Sequence, residues 1–275
     1  MFAKVYVEIT NICNMHCSFC HGHSRAPRRM TEEAFRQLLP QLTGQTQYLY
    51  YHLMGEPLTH PDLPRFIEIA SEQGFRSILT TNGTLLAKRQ MELLSSKLHK
   101  VNISVHSFED GTEEAYLQYL REITDFADAA SKAGSIVVLR LWNKDFDQGR
   151  NRQTEAYFRE HLDGEWMPNT RGVRIRNKLH LEWGERFDWP DEDAPDQGNQ
   201  VSCYGLRDHF GILCDGSVVP CCMDSNGVMT LGNVFQEDLR EILSSPRAEA
   251  IRAGFAKREA VENLCRRCGY ARRFS

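Results

Sequence analysis

Val7-Glu-Ile-Thr-Asn-Ile-Cys13-Asn-Met-His-Cys17-Ser-Phe-Cys20 runs from the end of an alternating, strand-like segment into a loop carrying three cysteines. Three thiolates this close together form one pocket of soft ligands, suited to a metal ion or an iron–sulfur cluster. The next cysteine is Cys203. If the pocket holds a cubane cluster, one iron is left without a protein ligand, which points to chemistry and not to a structural staple. Spacing alone also admits a zinc knuckle, with His16, His21 or His23 as a fourth ligand.

Outward from that loop the first 180 residues alternate strand and helix patterns. Strands are expected at Lys4–Ile9, Gln47–His52, Arg76–Thr81, Lys100–Val105, Ile136–Leu141 and Gly172–Asn177. Helices are expected near Thr31–Gln41, Pro61–Glu72, Leu85–Ser96, Glu113–Lys132 and Thr154–His161. Thr31-Glu-Glu supplies a cap residue and two acids at a helix start. Such alternation predicts a parallel α/β architecture, either an incomplete barrel or a doubly wound sheet. In both, chemistry lies at the C-terminal ends of the strands.

The acidic stretch at Glu182–Gln200, containing Pro and Gly, reads as a linker. Its Trp183, Phe187 and Trp189 also allow it to pack over the barrel mouth. Beyond it, Phe210–Pro220 has a hairpin pattern turning at Asp215-Gly216, followed by helices near Glu237–Leu243 and Arg247–Phe255.

Composition sets the class. The 275 residues are 41% hydrophobic and 25% charged, with a formal net charge of −4. There is no whole-chain basic signal and no basic stripe with interleaved aromatics, so neither nucleic acid nor membrane is an expected partner. No apolar run approaches a membrane span, and the N-terminus enters a strand without a signal-peptide layout. A cytoplasmic monomer is expected. Nine cysteines in such a chain, three near the start and six after residue 202, point to metal sites and not to disulfides.

The spacing Cys13-x3-Cys17-x2-Cys20, with Asn14 and Phe19 in place, resembles the signature of the radical S-adenosylmethionine (radical SAM) superfamily. His52-Leu-Met-Gly-Glu-Pro-Leu-Thr-His-Pro61 resembles that family's glycine–glutamate motif, and Thr80-Thr-Asn-Gly-Thr84 another of its common forms. The resemblance implies a partial (β/α)6 TIM-like barrel, with Cys13, Cys17 and Cys20 holding a [4Fe–4S] cluster whose open iron is chelated by S-adenosylmethionine. Reductive cleavage then gives a 5′-deoxyadenosyl radical. It implies cosubstrate contacts at Phe19, Gly55, Glu56 and Pro57, with the Glu56 anion facing the ammonium. Further contacts follow at Asn82, Ser104, His106 and Arg140. His106 stands where the family's usual acid would be. Asn82 also suits a turn, and Arg140 also suits an ordinary strand end. Arg25, Arg28 and Arg29 either hold an anion or form a solvated basic loop.

Cys203, Cys221, Cys265 and Cys268 make a second set of four thiols. Their surroundings resemble the Twitch domain, a shortened SPASM-type module with one auxiliary [4Fe–4S] cluster, although four-cysteine zinc shares the spacing. The expected organisation is barrel 1–180, acidic linker 181–202 and module 203–275, the module built from a β-hairpin plus helices. Cys214 and Cys222 remain over. Each reads as a small buried hydrophobe, as a substitute ligand, or as a hydrogen-atom donor, for which Cys214 is favoured by its place near the turn.

The family layout implies hydrogen abstraction from a small molecule or peptide, then two-electron oxidation or crosslinking assisted by the auxiliary cluster. It also implies an electron donor such as flavodoxin or ferredoxin. The first strand begins within five residues, leaving no room for an N-terminal peptide-recognition domain, which leans toward a small molecule. The alternatives are a peptide epimerase using a free cysteine and, from a different class, a non-catalytic zinc-binding scaffold. Trp142, Trp183 and Trp189 are candidates for shaping the substrate pocket.

Overall fold

Lys100-Val-Asn-Ile-Ser104 alternates polar and apolar side chains, and the structure uses both faces. Val101 and Ile103 are fully buried under the helices, while Lys100 and Ser104 line an internal cavity. The computed structural model describes residues 1–274. Its strands are β1 (Lys4–Val7), β2 (Tyr48–Tyr50), β3 (Arg76–Thr81), β4 (Lys100–Ser104), β5 (Ile136–Lys144), β6 (Met167–Asn169), β7 (Gly172–Arg176), β8 (Leu179–Glu185), β9 (His209–Ile212), β10 (Ser217–Val219) and β11 (Gly232–Asn233). The helices are α1 (Glu32–Leu42), α2 (Leu63–Glu72), α3 (Leu86–Ser95), α4 (Glu113–Ala133), α5 (Arg150–His161), α6 (Leu239–Leu243), α7 (Pro246–Ala256) and α8 (Asn263–Arg266).

All strands join one 11-stranded sheet in the order β11-β10-β9-β1-β2-β3-β4-β5-β8-β7-β6. From β9 to β8 every neighbouring pair is parallel, and an antiparallel hairpin closes each end. The expected α/β architecture is present: β1–β5 and β8 form the six-stranded partial barrel, and β9 extends the parallel run to seven strands. Phe35 and Phe66 stack at 4.5 Å between α1 and α2. With Leu79, Leu120, Ile123 and Phe126 they belong to the apolar layer outside the sheet.

Local chemistry sets the helix ends. Thr31 and Thr112 accept hydrogen bonds from the N–H groups of Ala34 (3.1 Å) and Ala115 (3.2 Å), and two glutamates follow each cap. These caps satisfy free donors and complement the helix dipole. Gly134 ends α4 at φ 109, in the left-handed region that glycine adopts without steric cost. α5 starts at Arg150, four residues before the expected Thr154, with Gly149 at its cap.

The sixth barrel strand departs from expectation. Gly172–Asn177 does form a strand, β7, but it runs antiparallel on the outside. The strand that completes the parallel set is β8, which pairs with β5 in the register Val137↔Leu179 and Leu139↔Leu181. Leu179 and Leu181 are fully buried and Glu182 lines the cavity, so β8 carries the one-face-apolar pattern of a barrel strand. The tight Asn177-Lys178 turn, with Lys178 at φ 64, separates two strand-like runs, of which the expectation took only the first. β8 extends to Glu185 and so occupies the start of the stretch read as a linker. Two aromatics of that stretch pack at the barrel mouth: Trp189 Nε1 donates to the Phe19 carbonyl at 3.0 Å, and Phe187 meets Tyr270 edge-on at 4.8 Å. Among the described residues no helix is long and apolar enough to cross a membrane.

The hairpin at Asp215-Gly216 forms as β9–β10, and β9 adds to the barrel sheet along β1, pairing Val5↔Phe210 and Val7↔Ile212. Phe210 is fully buried, with Phe2 edge-on at 4.8 Å. Phe210→Ala is expected to cost about 3–5 kcal/mol. In urea, fluorescence and far-UV dichroism should still report one coincident transition, because barrel and module share a sheet. Two separated transitions in the parent chain would contradict that coupling.

Candidate active site

The cysteine loop follows β1 and is tied down before any cofactor is considered. The Glu56 N–H donates to the Ile12 carbonyl at 2.9 Å, and Thr59 Oγ1 to the same oxygen at 3.2 Å. Asn11 bridges the loop through Ala26 O (2.9 Å) and Arg28 N–H (2.6 Å). Gly55, at φ +75, lies so close that a Cβ there would sit 2.4 Å from the Thr10 carbonyl oxygen. Only glycine fits, so the glycine of the second-strand motif is required by the approach of the cysteine loop.

Glu8 was not singled out in the sequence, yet it anchors this region. It is fully buried. Arg25 makes two 2.7 Å hydrogen bonds to its carboxylate, and the Met54 N–H donates at 3.1 Å. The Cys214 thiol donates to it at 3.1 Å, and the Cys214 N–H at 3.3 Å. Arg25 also reaches the Ser225 carbonyl at 2.7 Å. Arg25 is therefore committed to a buried pair, whereas Arg28 and Arg29 are exposed, as in a solvated basic loop. Cys214 is 3% exposed, and burial with the neighbouring Glu8 charge drives its thiol strongly upward. Of the two extra cysteines it is Cys222, beside Tyr6, that lines the cavity. An acid within an otherwise apolar strand was the available signal for Glu8.

Glu56 is 2% exposed. Its carboxylate accepts from the Asn82 N–H at 2.7 Å and from the Leu58 N–H at 3.0 Å. It thus joins the end of β3 to the 3-10 turn at Pro57–Thr59. Burial raises its carboxyl from the ordinary 4.5 to about 7, against hydrogen bonds that favour ionisation. The Asn82 side chain donates to Asn14 Oδ1 at 3.0 Å and accepts from Thr84 Oγ1 at 2.7 Å. It ties the β3 end to the cysteine loop as well as making a turn.

Ser104 and His106 line the cavity, with Phe19 4.9 Å from the His106 ring. Burial lowers His106 to about 4, so the ring is neutral, with Nδ1 3.0 Å from the Arg140 carbonyl. The Arg140 guanidinium lies over Trp142 at 4.4 Å, with Nε 4.0 Å from Glu182.

Thiols are the soft donors that an iron–sulfur cluster takes, although among the described residues no three His, Cys, Asp or Glu side chains are already gathered in metal-binding geometry. Burial, then the charge of neighbouring thiols, pushes Cys17 up to about 11. Cys221 is driven well upward by burial and by Cys203, Cys222, Cys265 and Cys268 around it. Such thiols hold their protons at neutral pH until a metal displaces them. All four expected ligands of the second site line one cavity of about 890 Å³ that also reaches Phe19, Ser104 and His106. The structure thus brings the second set of thiols and several expected cosubstrate contacts to one space.

The radical SAM superfamily profile matches residues 7–162, more than half of the chain. The SPASM profile, an iron–sulfur cluster-binding domain, matches residues 203–269. The chain belongs to the radical SAM superfamily and carries a SPASM-type domain; its cofactors are S-adenosylmethionine and [4Fe–4S] clusters. A probable GTP 3′,8-cyclase of Pyrobaculum aerophilum is 29% identical over 191 residues, covering 64% of this chain and 62% of that protein. An AdoMet-dependent heme synthase of Methanosarcina barkeri is 28% identical over 102 residues, 36% of this chain and 29% of its own. The chain thus spans less than two thirds of the length of these relatives. Among solved structures, BtrN in complex with AdoMet and 2-DOIA superposes at a TM-score of 0.62, with 19% identity over 98% of this chain and 93% of BtrN. Streptococcus suis SuiB bound to S-adenosylmethionine gives 0.63, with 16% identity over 92% and 68%. At these identities the likeness is one of fold.

Two predictions follow from Glu8 and Glu56. Glu8→Gln strands the Arg25 charge and should cost about 3–5 kcal/mol in urea unfolding; adding Arg25→Met should restore part of it. Glu56 binds more protons folded than unfolded between about 4.5 and 7, so its contribution to stability declines as pH rises through that window. Without S-adenosylmethionine, the parent should lose more stability than Glu56→Gln between pH 5.5 and 7.5. Parallel pH profiles would contradict the raised carboxyl.

Proposed function

We propose that this chain is a radical SAM oxidoreductase acting on a small molecule or a peptide side chain. It takes a hydrogen atom from the substrate and completes an oxidation or crosslink with the aid of the C-terminal cluster. The observation that carries this reading is the single cavity shared by Phe19, Ser104 and His106 with Cys203, Cys221, Cys265 and Cys268. Its volume of about 890 Å³ is in the range of small-ligand sites.

In this reading Cys13, Cys17 and Cys20 hold the first cluster, and the four later cysteines hold the second. When bound, the first cluster and S-adenosylmethionine supply a 5′-deoxyadenosyl radical for hydrogen abstraction. Gly55 and Pro57 shape the floor beside the cysteine loop, and Asn82, Ser104 and His106 border the cosubstrate. Glu56 acts from behind this surface, fixing two backbone segments in place. Trp142 and Trp189 are cavity walls, which keeps water from a reactive site. The relatives' names, a cyclase and a heme synthase, differ in the reaction they denote, so they do not select one outcome. SuiB was also solved with its precursor peptide SuiA, which keeps a peptide among the substrate classes. A second reading, epimerisation, has one observation in its favour: the Cys222 thiol lines the cavity.

Anaerobically reconstituted protein should hold about eight irons and form 5′-deoxyadenosine on reduction with S-adenosylmethionine. Cys17→Ala should abolish that product. Cys268→Ala should retain it while losing about four irons and substrate oxidation. Intact clusters and bound cosubstrate without 5′-deoxyadenosine would defeat the proposal.

A further inference from the structure

The wall of the barrel lumen carries more positive charge than the proposed cluster and cosubstrate sites account for: of its cations only Arg140 was among the expected cosubstrate contacts. Lys4 of β1, Lys100 of β4 and Arg140 of β5 line the cavity, with Arg171 of the β6–β7 turn at its exposed rim. Arg186 also lines it but is paired with Glu109 at 3.1 Å. Glu182 and Asp208 are the lining carboxylates that face the other four cations.

These cations are crowded and poorly matched. The Arg140 Nε is buried without a hydrogen-bond partner, and its distance of 4.0 Å from Glu182 is beyond hydrogen-bonding range. Lys4 stands 5.4 Å over both the Tyr6 and Tyr50 rings. Burial first, then repulsion from Arg140 and Arg171, lowers both lysines, and Lys4 adds to the effect on Lys100. The neighbouring imidazoles of His52 and His209 are held down to about 3 and about 4, so they add no charge at neutral pH. A wall with four cations and two carboxylates, one guanidinium nitrogen unpaired, is incomplete without negative charge. An anion would both relieve the repulsion and supply the missing acceptor.

We propose that Arg140, Lys100, Lys4 and Arg171 hold an anionic group of the substrate, a carboxylate or a phosphate, in the barrel lumen. The inference rests on reading this cavity as the substrate cavity and narrows the substrate class to anions. Neutral polyols and polyamines are disfavoured, since neither compensates the wall.

Binding alone tests this, without turnover. The reconstituted, cluster-loaded protein is titrated calorimetrically with inorganic phosphate, succinate, glycerol and spermidine at constant ionic strength. Phosphate or succinate should bind, glycerol and spermidine should not, and the tighter of the two anions identifies the group. Arg140→Gln and Lys100→Met should each weaken the anion by about tenfold or more. Lys100→Arg should retain it, and Lys88→Met, on the exposed side of α3, should change nothing. If Lys100→Met does not fold, Lys4→Met takes its place. Failure of both anions to bind, tighter binding of spermidine, or affinity indifferent to Arg140→Gln and Lys100→Met overturns the inference. A protein that binds the anion this way yet forms no 5′-deoxyadenosine would sink the proposed function and leave this site standing.

Discussion

The buried pair between Glu8 and Arg25 is the constraint on which the rest of the site depends. A carboxylate with no solvent exposure is tolerable only when its oxygens are fully hydrogen-bonded. Those partners come from separate parts of the chain: Arg25 of the cysteine loop, the Met54 N–H beside the glycine–glutamate motif, and Cys214 of the β9–β10 hairpin. One side chain at the end of β1 thus orders the loop that carries the first three thiols. It also joins the second-strand motif and the C-terminal module to that loop. Gly55 completes the arrangement by letting two backbones meet where a Cβ would collide.

Around this anchor, the strands divide their duties by alternation. Val101, Ile103, Leu139 and Leu181 build the apolar layer under the helices, while Lys100, Ser104, Arg140 and Glu182 face inward. A fully packed parallel barrel reads as near-continuous apolar runs. Here the lumen is left open and polar, so its residues do not serve stability by close packing. Burial lowers the pKa of Lys100, Arg140 and the neighbouring His106, and such perturbation is characteristic of sites that do chemistry.

What was legible in the sequence was local. The two thiol sets, the capped start of α1, and the turn at Asp215-Gly216 announce themselves within a few residues. Gly55-Glu56-Pro57 was legible as a motif, but the direction of the Glu56 carboxylate was not, because its acceptor role involves Asn82 on a different strand. Glu8, Lys4 and Lys100 gained significance only when strand pairing placed them together. The error at the sixth strand has the same root. β7 and β8 have similar local patterns, and only pairing with β5 selects Leu179–Glu185 as the parallel one. Trp189 was one of three aromatics in an acidic stretch until its indole met the Phe19 carbonyl.

The ladder between β1 and β9 makes the two thiol sites parts of one rigid frame. Phe210 and Ile212 face the apolar layer because they lie opposite Val5 and Val7, while His209 faces the lumen. A slip of one residue would exchange those faces, driving an imidazole into the core and a phenylalanine into the reaction space. The separation between the two thiol sites is therefore a quantity of sheet register and not of tether length. A module borrowed from another protein would hold its thiols at the same span only if it entered this ladder in phase.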